Sequence, residues 1–213
     1  MIVREGLRSL LAAEGDIKVI GEAATGRQAV ELARELRPAV VVMDIAMPVL
    51  NGLEATRQIL KSNPDARVLI LSAHSDDAYV EQATAQGAMG YLVKQTSAHF
   101  LAEAIRQVQQ GHTFFSPAIA RRLHQRCGPS PAQGKLAQEK SVPLSSREVE
   151  VLQLVAEGQG NKQVAAELGI SVKTVEKHRQ RIMEKLNIHD TAGLTRHAIA
   201  TGIIESSVQL TIV

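Results

Sequence analysis

The sequence predicts two unlike domains, an α/β domain built on a parallel sheet and an all-α domain after it. Three observations carry this. Between residues 17 and 110, short apolar runs alternate with amphipathic helical stretches, the order that makes a parallel sheet flanked by helices. From Leu144 onward the strand-like runs disappear and four helical patterns follow one another. Between the two, Gly128 to Val142 is rich in Pro, Gly, Gln and Lys, has little to bury and reads as a linker.

Composition agrees. A chain of 213 residues suits one large or two small domains. It is 45% hydrophobic but only 2% aromatic, without Trp, so its cores must be aliphatic. The net charge of +2 means that any nucleic-acid contact must come from a local patch. A single cysteine, Cys127, excludes an internal disulfide and a Cys-based zinc site. No apolar run approaches membrane-spanning length and no signal peptide opens the chain, so a cytoplasmic protein is expected.

The elements follow in order. Val3, Leu7, Leu10 and Leu11 recur at helical spacing, so a helix begins almost at residue 1, without a cap. Asp16 to Gly21 holds Ile17, Val19 and Ile20 and predicts a short strand. Thr25 can cap a helix through about Leu36, with Val30, Ala33 and Leu36 facing inward. Pro38 separates it from Val40 to Met43, a run apolar throughout, as in strands buried on both faces, which ends in Asp44. Pro48 and Asn51-Gly52 turn the chain into a helix over Leu53 to Lys61, closed by Asn63-Pro64. Arg67 to Ser72 is a strand, Asp76 to Gln86 a helix stopped by Gly87, and Met89 to Val93 a strand ending before Lys94. Ser97 to Gln110 is a helix stopped by Gly111, and Ser116-Pro117 opens a short basic helix through about Arg126. Farther on, Ser145 or Ser146 caps a helix to Glu157, and Asn161 caps Lys162 to Leu168. Ser171 caps Val172 to Leu186, and Thr191 to Thr201 closes the set. Val208 to Val213 is β-prone and fits none of these helices.

Three predicted strand ends carry a carboxylate, a hydroxyl and an ammonium: Asp44, Ser72 and Lys94. In a parallel sheet these ends share one edge, the edge where ligands bind in open α/β sheets. Singly, each has an ordinary use as a cap or a surface charge. Together they suit a transferable phosphoryl group, with Asp44 as nucleophile and Ser72 and Lys94 holding its oxygens.

Val41-Val42-Met43-Asp44-Ile45-Ala46-Met47-Pro48, Asn51-Gly52, Leu71-Ser72-Ala73 and Gly87-Ala88-Met89-Gly90-Tyr91-Leu92-Val93-Lys94 together resemble the receiver domain of bacterial two-component response regulators, over residues 3–110. The resemblance implies a flavodoxin-like fold and phosphorylation of Asp44 by a sensor histidine kinase. It implies a switch in which Tyr91 turns inward when Ser72 shifts toward the phosphate. It also implies Mg²⁺ beside Asp44, held by that carboxylate, the backbone carbonyl of Ala46 and an acidic pair ending a first strand. Counted back from Asp44, that strand and its acids fall before Met1. The receiver is therefore expected to be N-terminally truncated and its Mg²⁺ site incomplete. A truncated copy, a regulator working without phosphorylation, and a replacement strand from Val208 to Val213 stay open as explanations.

In the second half, Asn161 to Gly169, a tight Gly169-Ile170-Ser171 turn and Val172 to Leu186 read as helix-turn-helix. The Val172–Leu186 stretch has five basic residues against two acidic ones, a local charge of +3, opposite an apolar face of Val175, Ile182 and Leu186. That suits phosphate contact and major-groove entry, although a solvated helix explains the charge alone equally well. Leu144-Ser145-Ser146-Arg147-Glu148, Asn161-Lys162-Gln163-Val164-Ala165, Leu168-Gly169-Ile170-Ser171, Thr174-Val175-Glu176-Lys177-His178 and Lys185-Leu186 resemble the LuxR-type output domain. Carried over by position, Glu176, Lys177 and Gln180 face base edges, while Lys162, Lys173, Thr174 and Arg181 hold phosphates. His178 is expected to be structural. The resemblance also implies homodimers on double-stranded DNA, the last helix forming the dimer contact.

The expected organisation is a receiver at 1–112, a linker with a short helix at 113–143, a helix-turn-helix domain at 144–206 and a tail at 207–213. The whole reads as a LuxR/FixJ-type (NarL-like) DNA-binding response regulator rather than an enzyme. The alternatives are a phosphorylation-independent transcription factor and an aspartyl-phosphate enzyme. The enzyme would need a second carboxylate near Asp44, and Asp44-Ile45-Ala46 offers none two residues on.

Overall fold

Four apolar runs line up into one parallel sheet in the computed structural model, in the order β1 (Val41–Asp44), β2 (Val68–Ser72), β3 (Gly90–Val93) and β4 (Phe114–Phe115). The structure describes residues 2–73, 75–117, 119–121 and 143–204. The chain divides into two units, Met1–Gln133 and Gly134–Val213.

In the first unit the strands alternate with α1 (Ile2–Ala12), α2 (Gly26–Leu36), α3 (Gly52–Ser62), α4 (Asp77–Ala85) and α5 (Ser97–Gln109). Because side chains alternate along a strand, each strand feeds two cores. Met43, Val68, Ile70, Tyr91 and Val93 meet Ala29 and Ala33 of α2, Ile59 of α3 and Val80 of α4 on one face. Leu69, Leu71 and Leu92 meet Leu11 of α1 and Leu101, Ala104 and Val108 of α5 on the other. All five residues of β2 are buried, as expected for a strand covered on both faces.

Local chemistry sets the helix ends. Thr25 caps α2 by accepting from the Gln28 N–H, and Asn51 caps α3 by accepting from Glu54 N–H at 2.8 Å. Arg106 of α5 donates to Glu14 at 2.6 Å and to Asp16 at 2.7 Å, tying α5 to the turn after α1.

Two expectations about strands are corrected. Ile17 to Ile20 forms no strand and pairs with none among the described residues, and Val19 and Ile20 are exposed. A single extended run has no stability without a partner edge, whatever its propensity. Leu36, expected to face inward, is exposed for the same reason: it lies against Gly21 in that unpaired segment. The fourth strand is instead Phe114–Phe115, which two residues could not announce by periodicity; it pairs with Gly90 and Tyr91. Among the described residues β1 is therefore one edge of the sheet and β4 the other. A helical stretch does begin at Pro117 and includes residues 119–121, with Ile119 buried, but residues 122–142, with Cys127, and Val208 to Val213 lie outside the described residues.

The second unit contains α6 (Ser146–Ala156), α7 (Asn161–Leu168), α8 (Val172–Leu186) and α9 (Thr191–Ala200). Val151, Leu152, Leu154, Val164, Val175, Ile182, Leu194 and Ala198 are fully or almost fully buried in it. Ser145 and Glu148 form a reciprocal capping box at the start of α6. Asn161 is not the cap of α7: Gly160 holds that position, its N–H donating to the Gln163 side chain, and Asn161 is the first helical residue. Gly169 takes the left-handed conformation (φ +61°) that makes the tight turn into α8, which Ser171 caps.

Candidate functional site

Parallel register brings the three expected groups to one edge. Asp44 ends β1 and pairs with Leu71, Ser72 follows Leu71 and pairs with Val93, and Lys94 follows Val93. The Lys94 Nζ donates to Asp44 Oδ2 at 2.7 Å. The Ala46 N–H donates to Asp44 Oδ1 at 3.3 Å. One third of the Asp44 side chain is exposed, so a donor group can reach it. Ser72 is fully buried, and Tyr91 is buried among Met43, Ile70 and Val93.

The turn after Asp44 is shaped by close approaches. The Gly52 N–H donates to Ile45 O at 2.9 Å, and a Cβ on Gly52 would collide with the carbonyl oxygen of Asp44. A Cβ on Gly26 would strike the carbonyl oxygen of Leu50. Between them Val49 sits at φ +70°, a left-handed conformation that is costly for a β-branched residue. Val49→Gly is expected to stabilise the first unit by about 1 kcal/mol, read as a rise of about 5 °C in melting temperature. An unchanged or lower value would show that the turn does not hold Val49 there.

The Mg²⁺ that the resemblance to receiver domains implies beside Asp44 meets a sparse donor set among the described residues. Mg²⁺ asks for near-octahedral oxygen coordination. Here one Asp44 oxygen already accepts from Lys94, and no cluster of three or more His, Cys, Asp or Glu among the described residues could hold a metal.

In the second unit the basic helix stands as expected. Lys173, Glu176, Lys177, Gln180 and Arg181 are exposed along α8, while Val175 and Ile182 are buried. Lys162 is exposed on the first turn of α7. Thr174 is half-buried, its hydroxyl 2.8 Å from that of Ser171. Gln180 donates to Glu184 at 2.9 Å. The Nδ1 of His178 is buried and makes no hydrogen bond among the described residues. Burial, then the nearby Arg147, push the His178 pKa below its ordinary value, which keeps the ring neutral and structural.

Sequence reasoning missed the polar ties that orient α8. Lys185 donates to the buried Glu148 at 2.7 Å. Arg147 donates to the Leu168 carbonyl at 2.7 Å, closing the end of α7. Arg179, counted with the outer basic face, donates to Asn161 and Thr191 instead. A signal was present: Arg179 lies four residues after Val175 and three before Ile182, on the apolar stripe.

A parallel α/β unit with an Asp–Lys pair at its carboxyl edge, followed by a helix-turn-helix unit, defines a two-part signalling transcription factor. Residues 1–106 match the response regulator receiver domain family. Residues 142–198 match the bacterial regulatory proteins of the luxR family. The chain is 36% identical over 215 residues to the transcriptional regulatory protein DegU of Brevibacillus brevis, spanning 96% of this chain and 91% of that one. It is 34% identical over 204 residues to the response regulator protein VraR of Staphylococcus aureus (strain Mu3), spanning 96% and 94%. A solved two-component response regulator of the LuxR family from Aurantimonas sp. SI85-9A1 is 38% identical with a TM-score of 0.57, over 59% of this chain and 89% of that one. The chain belongs to the LuxR-family response regulators, DNA-binding transcriptional regulators that work with histidine kinases. No helix among the described residues is long and apolar enough to cross a membrane.

Proposed function

We propose that this regulator accepts a phosphoryl group on Asp44 from a sensor histidine kinase and, as a homodimer in the cytoplasm, reads double-stranded DNA with α8. The observation that carries the first half is the Lys94–Asp44 ion pair of 2.7 Å at the carboxyl edge of the sheet. An Asp44 oxygen attacks the phosphorus of a phosphohistidine. The P–O bond forms as the P–N bond breaks, and the histidine keeps the electron pair. The Lys94 ammonium then turns from the carboxylate to a phosphoryl oxygen. Ser72, one register step beyond Asp44, supplies the hydroxyl, and the Tyr91 ring on the neighbouring strand reports the shift. For DNA, Glu176, Lys177 and Gln180 read bases, and Lys162, Lys173, Thr174 and Arg181 hold phosphates; exposure of six of these seven side chains leaves them accessible to a duplex.

Intact mass after incubation with a small phosphodonor is expected to show one phosphoryl adduct on the wild-type chain and none on Asp44→Asn. An adduct of equal yield in the mutant would remove Asp44 as acceptor. Lys177→Ala is expected to weaken binding to a selected duplex by about tenfold and to random duplex far less. Equal losses on both would make Lys177 a phosphate contact.

A second reading is favoured by the donor set at Asp44, which belongs to no group of three or more His, Cys, Asp or Glu among the described residues and is already paired with Lys94. In it the regulator binds DNA without phosphorylation. Absence of any adduct, with DNA affinity the same in wild type and Asp44→Asn, would establish that reading.

A further inference from the structure

We infer that Arg179 is a positioning residue for DNA reading, a latch that sets α8 relative to the starts of α7 and α9. This rests on α8 being the reading helix. Arg179 sits between Lys177 and Gln180–Arg181 in sequence, yet its guanidinium turns away from them. Its Nη1 donates to Asn161 Oδ1 at 2.9 Å and its Nη2 to Thr191 Oγ1 at 3.0 Å. Asn161 is the first residue of α7 and Thr191 the first of α9. One planar fork thus joins three helices, and both partners are neutral. What the contacts supply is direction, because two N–H groups of a rigid guanidinium fix two acceptors at once.

The placement matters for reading. Asn161 is followed by Lys162, a proposed phosphate contact, and Arg179 lies one turn from Glu176 and two residues from Lys177, proposed base contacts. Holding Asn161 therefore holds the spacing between a backbone contact on α7 and the base-facing side of α8. Specific binding needs that spacing, because several contacts must be met together; non-specific binding by scattered phosphates does not.

The competing role is an ordinary phosphate contact, and the salt dependence separates the two. The full chain is used with two probes: a duplex enriched by the wild-type chain from a random-sequence library, and a scrambled duplex of the same length. Affinities are measured over a salt series for Arg179→Ala, Arg179→Lys, Asn161→Ala and the Arg179→Ala/Asn161→Ala pair, with melting temperatures alongside. A latch predicts a loss of about tenfold on the enriched duplex for Arg179→Ala, little loss on the scrambled one, and an unchanged salt slope. Asn161→Ala should reproduce most of that loss, the pair should add nothing further, and lysine should fail to restore it. The inference is overturned by a slope lowered by about one with rescue by lysine, which marks a phosphate contact. It is overturned equally by normal binding in Asn161→Ala, or by losses on both duplexes that merely follow the fall in melting temperature. Failure of the wild-type chain to enrich any duplex would remove α8 as the reading helix, and the latch with it.

Discussion

Gly52→Ala is expected to lower the melting temperature of the receiver by about 15 °C and to abolish phosphoryl uptake at Asp44. The added Cβ would meet the Asp44 carbonyl oxygen, with that carbonyl carbon at 2.8 Å and the Ile45 Cα at 3.1 Å. These are backbone atoms at the end of a buried strand, so no side chain can swing aside. Overpacking of this kind costs about 3 kcal/mol. Relief requires moving either β1 or the start of α3, and both routes displace Asp44 from Lys94, which lies 2.7 Å away. Thermal unfolding and intact mass check the two halves together. A variant that melts like wild type and still takes up phosphate would show that the turn is looser than this packing implies.

Lys185→Ala is expected to destabilise the helix-turn-helix unit by about 3 kcal/mol at neutral pH. Glu148 is almost fully buried, and Lys185 is the cation paired with it at 2.7 Å. The same carboxylate oxygen accepts from the Ser145 N–H at 2.8 Å. Burial alone would raise the Glu148 pKa; the Lys185 ammonium and the Ser145 donors outweigh it and hold the carboxyl below its ordinary 4.5. A depressed folded-state pKa means that the unfolded chain takes up its proton first. The stability from this ionised glutamate is therefore complete above about pH 4.5 and is lost as pH falls through the lower folded value. Melting of wild type and Glu148→Gln should differ by a constant amount from pH 7 down to about pH 5 and converge below it. A gap independent of pH down to full protonation would mean that the charge of Glu148 contributes nothing.

Most of this molecule is legible where the physics is local. Thr25 and Ser171 cap the helices the sequence assigns them, and Ser145 rather than Ser146 caps α6, because a side-chain oxygen reaching an N–H three residues on needs only its own turn. The Asp44, Ser72 and Lys94 convergence was legible for a related reason: strand-helix alternation forces parallel strands, and parallel strands put their carboxyl ends on one edge. Ile17 to Ile20 shows where such reasoning stops. Its residues favour a strand as much as those of β3 do, but a strand is defined by its neighbour, and none pairs with it among the described residues.

By itself the sequence determined the two-part architecture, the strand-end carboxylate with its partner lysine, and a basic helix after a glycine turn. Each follows from hydrophobic period, cap chemistry or chain-stop residues, which act over a few positions. Tertiary structure decided which acceptors the inward basic side chains of α8 bind, where helical position only hints that Arg179 lies on the apolar stripe. Lys177 and Arg181 stay exposed, while Arg179 crosses to Asn161 and Thr191 and Lys185 to Glu148. Charge composition counts these residues alike. Their roles separate only when another helix brings an acceptor within hydrogen-bond reach, and that acceptor lies between 12 and 37 residues away along the chain.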